Sequence, residues 1–414
     1  MHDARRDHIG RRVRIARLGQ DLSQEQLGGL VSRGGRWVQE VEAGRLVLDK
    51  VSLICAVAEV CDVDVNWLLG QPYRLRQGES TTAHIPALRT VLRRSGLILS
   101  GHPGLSASAP PAGWAELEQM AAETNAARQG ARLLDAARVL PVLLEALNTA
   151  LLSYQGAERE RALALVVDAA RNARQSANVL GYPDLAWTAS EVAAGAATQL
   201  GDPLSQAATA WDRCGAMLHQ GDVRSADAIA DAALADLDPL LAEGGHDAVA
   251  LHGALLLRRV VAAARSDKKV EAWQHSTAAL AVARTQLPDG YADLRWHTVF
   301  GVPVVAVHAV EAGVEIDEPD KGLSFVPGLD VEARGVTPSR ERVTHWRIDK
   351  ARAEHRLGRT HEAITTLHTA ARHAPAYVYA HPMARTLVDD MVTSGAGIRS
   401  AGLASLVRHM EIQQ

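Results

Sequence analysis

Aromatic residues are scarce: phenylalanine, tyrosine and tryptophan make up 4% of 414 residues, with only two phenylalanines. A core with so few rings must be packed from alanine and aliphatic side chains, and alanine-rich sequence carrying Leu, Arg and Glu favours helix. Cysteine is also scarce. Cys55, Cys61 and Cys214 show no metal or redox spacing, which argues against a disulfide framework and reads as small buried residues of a reducing cytosol. A formal charge of −4 excludes a general polyanion binder, so any nucleic-acid contact must be a local basic surface. Arginine and aspartate occur from the start of the chain, unlike a signal peptide. No apolar run reads as membrane-spanning, and a cytoplasmic chain without membrane contact is expected. A phosphate-binding glycine loop with Lys-Ser/Thr, a His-Glu-x-x-His pair and a nucleophile elbow are all missing. No enzyme, no cofactor and no metal are expected. His361, His368 and His373 share one helix, but the first two lie two turns apart, roughly 10 Å, too far for one ion to bridge unaided.

What is present centres on Leu22–Gly44. Ser23 followed by Gln26 is a capping-box start. Leu27, Leu30 and Val31 give that helix a buried face. Ser32-Arg33-Gly34-Gly35 breaks the run. A second helix follows to about Ala43, with Val38 and Val41 inward and Gly44 placed to stop it. Two short helices joined by a tight turn make a helix-turn-helix, a geometry that suits the DNA major groove.

The stretch resembles the helix-turn-helix of the Cro/phage-repressor-like (XRE) family. Leu22-Ser23-Gln24-Glu25-Gln26-Leu27 carries the first half of its run and Val38-Gln39-Glu40-Val41-Glu42-Ala43-Gly44 the second. Asp64-Val65-Asn66-Trp67-Leu68-Leu69-Gly70 is similar to its closing helix. Gly34 stands where the family carries a Ser or Thr cap, at a cost of only a few tenths of a kcal/mol. The resemblance implies that Gln24 touches phosphate, aided by the helix N-terminus. It also places Arg33, Gly35, Arg36, Trp37, Gln39 and Glu40 at or beside the exposed side of the recognition helix. Arg36 suits guanine and Glu40 suits cytosine N4, although Glu40 could equally pair with Arg36 four residues away. Trp37 either meets a thymine methyl or packs on a neighbouring helix.

Arg5, Arg6, Arg11, Arg12, Arg14 and Arg17 crowd the first helix, whose apolar positions are Ile9, Val13 and Ala16. A charge run alone reads as a solvated face. Beside a helix-turn-helix, phosphate contact becomes the better reading, and Arg11 and Arg12 are the candidates. Asp21, Glu25, Glu40 and Glu42 offset these charges, which argues for modest affinity per head and for binding as a homodimer. The head continues with a helix that Asp49 is placed to cap and a last helix capped by Asp64, with Trp67 and Leu68 packing inward. Five helices in a repressor-like domain are expected over residues 1–73.

Residues 74–113 read as a linker with one amphipathic helix from Ile85 to Arg94. Gln77–Thr82 is polar, and Ser100–Gly113 is Gly-, Pro- and Ser-rich, which reads as a flexible hinge. Helical segments fill 114–414, near 114–128, 132–153, 157–180, 183–199, 203–219, 223–241, 246–265, 268–286, 291–313, 338–357, 360–373, 382–394 and 399–411. Leu180-Gly181, Leu200-Gly201 and Gln220-Gly221 recur one helix and turn apart, the kind of period that repeats produce. Gly358–Ile364 through Ala370-Ala371 and Pro375 is similar to the second half of a tetratricopeptide repeat. Segments at Gln220–Leu234 and Glu271–Pro288 follow suit. Three such matches favour an α-solenoid of degenerate repeats over a generic alanine-rich bundle.

The whole chain resembles actinobacterial-type regulators with an XRE head and a tetratricopeptide-like tail. Phe300–His308 keeps the outer residues of their Phe-Gly-Pro-Thr-Asn-Val-Ala-x-His segment and loses its centre, which puts an inherited ligand role there in doubt. The expected fold is all-α. The expected function is a sequence-specific, DNA-binding transcriptional regulator acting on a double-stranded operator. Its solenoid would dimerise and sense a small molecule or peptide, with Trp211, His252, Arg259, Arg295, Trp296 and His308 as candidate ligand contacts. The alternative is a DNA-tethered docking scaffold with no small ligand, and for Trp296 core packing, where large aromatics seal helix pairs, is the favoured reading over a groove contact.

Overall fold

The computed structural model describes residues 8–72, 84–107, 109–291, 294–333, 335–395, 400–410 and 412. Arg5, Arg6 and the Gln77–Thr82 linker lie outside them. The described residues form helices and no strands. The head holds α1 (Ile9–Gly19), α2 (Gln24–Leu30), α3 (Gly35–Glu42), α4 (Val51–Val60) and α5 (Val65–Leu69). Ser23 and Gln26 form the reciprocal capping box at the start of α2, with Ser23 N–H donating to Gln26 Oε1 at 2.7 Å and Gln26 N–H to Ser23 Oγ at 3.1 Å. The Asp64 carboxylate accepts the Asn66 and Trp67 amides and caps α5. Val13, Leu27, Val38, Val41, Ile54, Val57 and Leu68 are buried together as the head's core. Two expectations fail here. Leu30 is 60% and Trp67 41% exposed, because Leu27 and Leu68 already take the buried positions of helices too short to hide a second face.

The body begins with α6 (Ile85–Leu99), α7 (Trp114–Gln129), α8 (Leu133–Ser153), α9 (Gly156–Val179) and α10 (Pro183–Leu200). It continues through α11 (Pro203–Gln220), α12 (Val223–Ala242), α13 (His246–Arg265), α14 (Lys269–Thr285) and α15 (Val302–Glu315). It ends with α16 (Pro319–Leu323), α17 (Arg340–Arg356), α18 (Thr360–His373), α19 (Pro375–Ala380), α20 (Pro382–Thr393) and α21 (Ala401–Met410). The expected segments are there, with one shortened: the helix placed at 291–313 starts only at Val302, where Pro303 fits the first helical turn. Gly181, Gly201 and Gly221 stop α9, α10 and α11 at φ of 84°, 71° and 86°, the left-handed region in which glycine meets no Cβ penalty.

Successive helices pack in pairs, and helices two apart also touch: α7 on α9, α9 on α11, α11 on α13, α13 on α15, α15 on α17. Alanine makes this possible. Ala170, Ala173 and Ala177 of α9 and Ala193, Ala196 and Ala197 of α10 are fully buried, and small side chains let two helix axes approach closely. The layer then closes on itself, because α17 packs on α7 and α19 on α8. One apolar cluster accordingly runs from the head through α6–α10 to α17–α21.

α6 packs on α8 and α10, and Leu105 and Ala112 in the loop after it lie against the core. The Ser100–Gly113 stretch thus joins two helices of the body and does not hinge the head. Among the described residues one helix, Leu133–Ser153, is long and apolar enough to cross a membrane by length and composition, against the sequence expectation. Leu140, Leu143, Leu144 and Leu147 on it are fully buried in the body.

Candidate nucleic-acid interface and central cavity

The α2–turn–α3 unit presents its polar residues outward. Arg33, Arg36 and Gln39 are exposed, and Gly35, Trp37 and Glu40 are half-buried. Arg36 has no ion-pair partner among the described residues. Glu40 does not pair with it. Arg45 holds Glu40 instead through two hydrogen bonds of 2.7 and 3.1 Å, and these bonds, with the nearby charges of Arg45 and Arg36, lower the carboxyl's pKa against the opposing effect of desolvation. Trp37 packs on the head's core. Gly35 is required by close approach, since a Cβ there would lie 3.0 Å from Glu25 on α2.

The arginines of α1 divide into two kinds. Arg11 and Arg14 are exposed. Arg12 Nε donates to the Leu68 carbonyl at 2.7 Å, satisfying an end group of α5. Arg17 is buried against Glu42, with contacts of 2.6 and 3.1 Å, and Gln24 Nε2 donates to the same carboxylate at 2.7 Å. A buried pair of this kind adds little net stability but is costly to break. Gln24, Glu42 and Arg17 therefore fix α1, α2 and α3 to one another. Sequence reasoning passed over Glu42, although its place beside the inward Val41 was the available signal.

The head is seated on the body by charge. Lys50 caps α4 with no side-chain bond. Asp49, the expected cap, faces away: it accepts Arg356 Nε at 2.9 Å. The cap comes from α15, where Glu315 accepts the Ser52 and Val51 amides at 2.8 and 3.2 Å. Lys50 Nζ reaches Asp317 at 2.5 Å, and Arg356 Nη1 reaches the same side chain at 2.7 Å. Arg352 donates to the Asp49 carbonyl. No hydrogen bond or ion pair joins residues 35–40 to the body among the described residues, so the outward side of α3 is left for another molecule.

Between head and body lies a cavity of about 120 Å³. The head supplies apolar Val51, Ile54, Val65 and Leu69, together with polar Asn66 and Gln71. The inner helices supply the charged wall, including Arg174, Trp211, Arg258, His308, Glu341 and Arg342. Trp211 is packed among guanidiniums, with Arg258 4.0 Å from its ring centroid, Arg342 5.6 Å and Arg174 5.9 Å away. Burial, reinforced by Arg174 and Arg342, pulls the Arg258 guanidinium down to about 9. Burial likewise lowers His308 and outweighs its bond to Glu311.

Of the six residues expected to contact a ligand, Trp211 and His308 line this cavity and four do not. Arg259 pairs with Asp227 and Asp231 on α12. His252 is half-buried on α13. Arg295 pairs with Asp247 and lies over the Trp296 ring. Trp296 is core, and its carbonyl accepts from Arg171 at 2.6 Å. Phe300 is also core, and its ring occupies the space a Cβ on Gly253 would need.

Comparison with curated proteins and with solved structures finds no match. The family model of a helix-turn-helix domain matches residues 8–66, which span α1 to the start of α5. The chain thus carries a helix-turn-helix head, the DNA-binding unit of a regulator, on an all-helical body.

Proposed function

We propose that the chain is a sequence-specific transcriptional regulator of the XRE type, without enzymatic activity, whose tetratricopeptide-like body senses a small molecule and controls the head. One observation carries the sensing reading. The cavity has one wall from the head and the other from the body, so an occupant changes the fit between them. A ligand that favours one seating of the head shifts the population of DNA-competent molecules. A cavity enclosing a few convergent polar groups is what a small-molecule site requires. The weakly charged single head supports action as a homodimer on two half-sites about 10 bp apart or a multiple of it. Reading chromosomal DNA places this work in the cytoplasm.

Binding assays on matched and mismatched duplexes test the DNA side. Arg36→Ala should cost on the order of 1–3 kcal/mol on the specific site and relax preference at one base pair, whereas Arg11→Ala should weaken all sequences alike. An Arg36→Ala protein with native affinity and specificity would remove α3 as the reading helix. Light scattering on the full chain at micromolar concentration tests the dimer, and a monomer would reject it.

A further inference from the structure

The charged wall of the cavity has more cations than its carboxylates can neutralise. Asp212, just behind it, is taken by Arg171 at 2.5 Å and Arg174 at 2.9 Å. Asp349 holds Arg352 at 2.6 Å, and Glu311 holds Arg265 at 3.4 Å. Glu341 lies 3.6 Å from its neighbour Arg342 and accepts from Tyr377 and Gln175. Among the described residues Arg258 is left with no carboxylate. Its Nε donates to the Trp211 carbonyl at 3.1 Å, and its side chain lines the cavity.

Four of the unsatisfied lining atoms are donors. The Nε atoms of Arg174, Arg342 and Arg352 and Nε2 of Gln71, all on residues lining the cavity, are buried without an acceptor. Arg174 and Arg342 are 3% and 7% exposed. Two lining atoms of this kind can accept: Asp349 Oδ2, which lies 3.3 Å from His345 Nε2, and His381 Nδ1, whose role depends on the tautomer. Buried donors left unpaired are expensive, so the occupant that fits brings acceptor oxygens and negative charge. The volume of about 120 Å³ is near the ~150 Å³ that accepts benzene, and the head's wall is mostly apolar.

We propose that this cavity binds a small organic anion, a carboxylate or phosphate ester on a compact apolar group. Its oxygens seat on Arg258 and Arg342 beside Trp211, and its apolar part lies against Val51, Ile54, Val65 and Leu69. The assignment rests on the sensing reading above for its biological purpose, though not for its chemistry. A metal is the competing occupant, because Glu311, His345 and Asp349 could bring ligand atoms within 4.8 Å of one another. Both carboxylates already neutralise an arginine, and a divalent cation there would face Arg265 and Arg352 at close range. Like charges in a buried site oppose each other strongly, which favours the anion.

The test is calorimetric titration of the full chain with benzoate, phenyl phosphate, benzamide and zinc chloride in separate runs, repeated on Arg258→Gln and Arg258→Lys. Benzoate or phenyl phosphate should bind saturably, and which of them binds tighter decides between carboxylate and phosphate. Neutral benzamide should bind at least roughly ten-fold more weakly, the scale of a lost charge-assisted hydrogen bond. Arg258→Gln should lose a similar factor and Arg258→Lys should recover part of it. Equal binding of benzamide and benzoate, native anion affinity in Arg258→Gln, binding of zinc alone, or no binding by either anion would overturn the proposal. DNA affinity measured with and without each probe separates the two readings. An anion that binds without altering DNA affinity keeps this site and removes sensing, whereas an effect of benzamide on DNA affinity as large as that of benzoate at the same concentration keeps sensing and removes the anion.

Discussion

Replacing Glu315 by alanine should loosen the head without touching any residue of the head. Glu315 is 7% exposed, and its two oxygens accept the Val51 and Ser52 amides. α4 has no cap of its own. Loss of a helix cap costs about 0.5–2 kcal/mol, and a hydrogen bond to a charged group is worth about 1.5–3 kcal/mol. Water reaching the bared amides returns part of that, leaving about 1–2 kcal/mol. Since 1.4 kcal/mol is a factor of ten in an equilibrium, the Val51 and Ser52 amides should exchange with deuterium roughly 5- to 30-fold faster. Glu315→Gln keeps a neutral acceptor and should fall between the two. Ser23→Ala serves as the control, because it removes the local cap of α2 and should accelerate Gln26 while leaving Val51 unchanged. Native exchange at Val51 and Ser52 in Glu315→Ala would refute the reasoning that the body caps the head.

Three further outcomes are expected. Asp212→Asn leaves Arg171 and Arg174 buried without their counter-charge and should cost about 3–5 kcal/mol in urea unfolding; a loss below 1 kcal/mol would show that the pair is replaceable. Gly253→Ala places a Cβ 2.0 Å from the Phe300 ring and should cost about 1–3 kcal/mol by overpacking, with Phe300→Leu partly restoring stability in the double variant. Burial lowers the pKa of His297, His308 and His381. The unfolded chain therefore gains protons below about pH 6.5 that the folded chain refuses, and Tm should fall as the pH drops from 6.5 towards 5.5. A flat Tm over that range contradicts the burial of these rings.

Local chemistry was legible in the sequence. Ser23 with Gln26, Asp64, and the glycines at 181, 201 and 221 act on neighbours a few residues away, so period and caps located most helices. Interactions across the fold were not legible. Asp49 has the right type and position to cap α4, but Arg356 and Glu315 lie some 260 to 310 residues later and settle its role differently. Neighbour-only stacking, which would let a solenoid change curvature at small cost, gives way to contact of α17 with α7. The cavity left one overlooked trace: Arg171 and Arg174 sit three residues apart among the alanines of the buried face of α9, where a helix facing only apolar neighbours would carry no charge. Trp211 and His308 were singled out by residue type, and the three arginines around Trp211 were missed because they come from three different helices.

The 264 residues that separate Val51 from Glu315 also set an order of events during synthesis. At roughly 5–20 residues per second, the head leaves the ribosome about 13–50 s before its cap exists. The α17–α7 contact that closes the layer comes later still. A nascent chain thus displays a helix-turn-helix that no body yet caps, and the form with its head seated on the body is the last to appear.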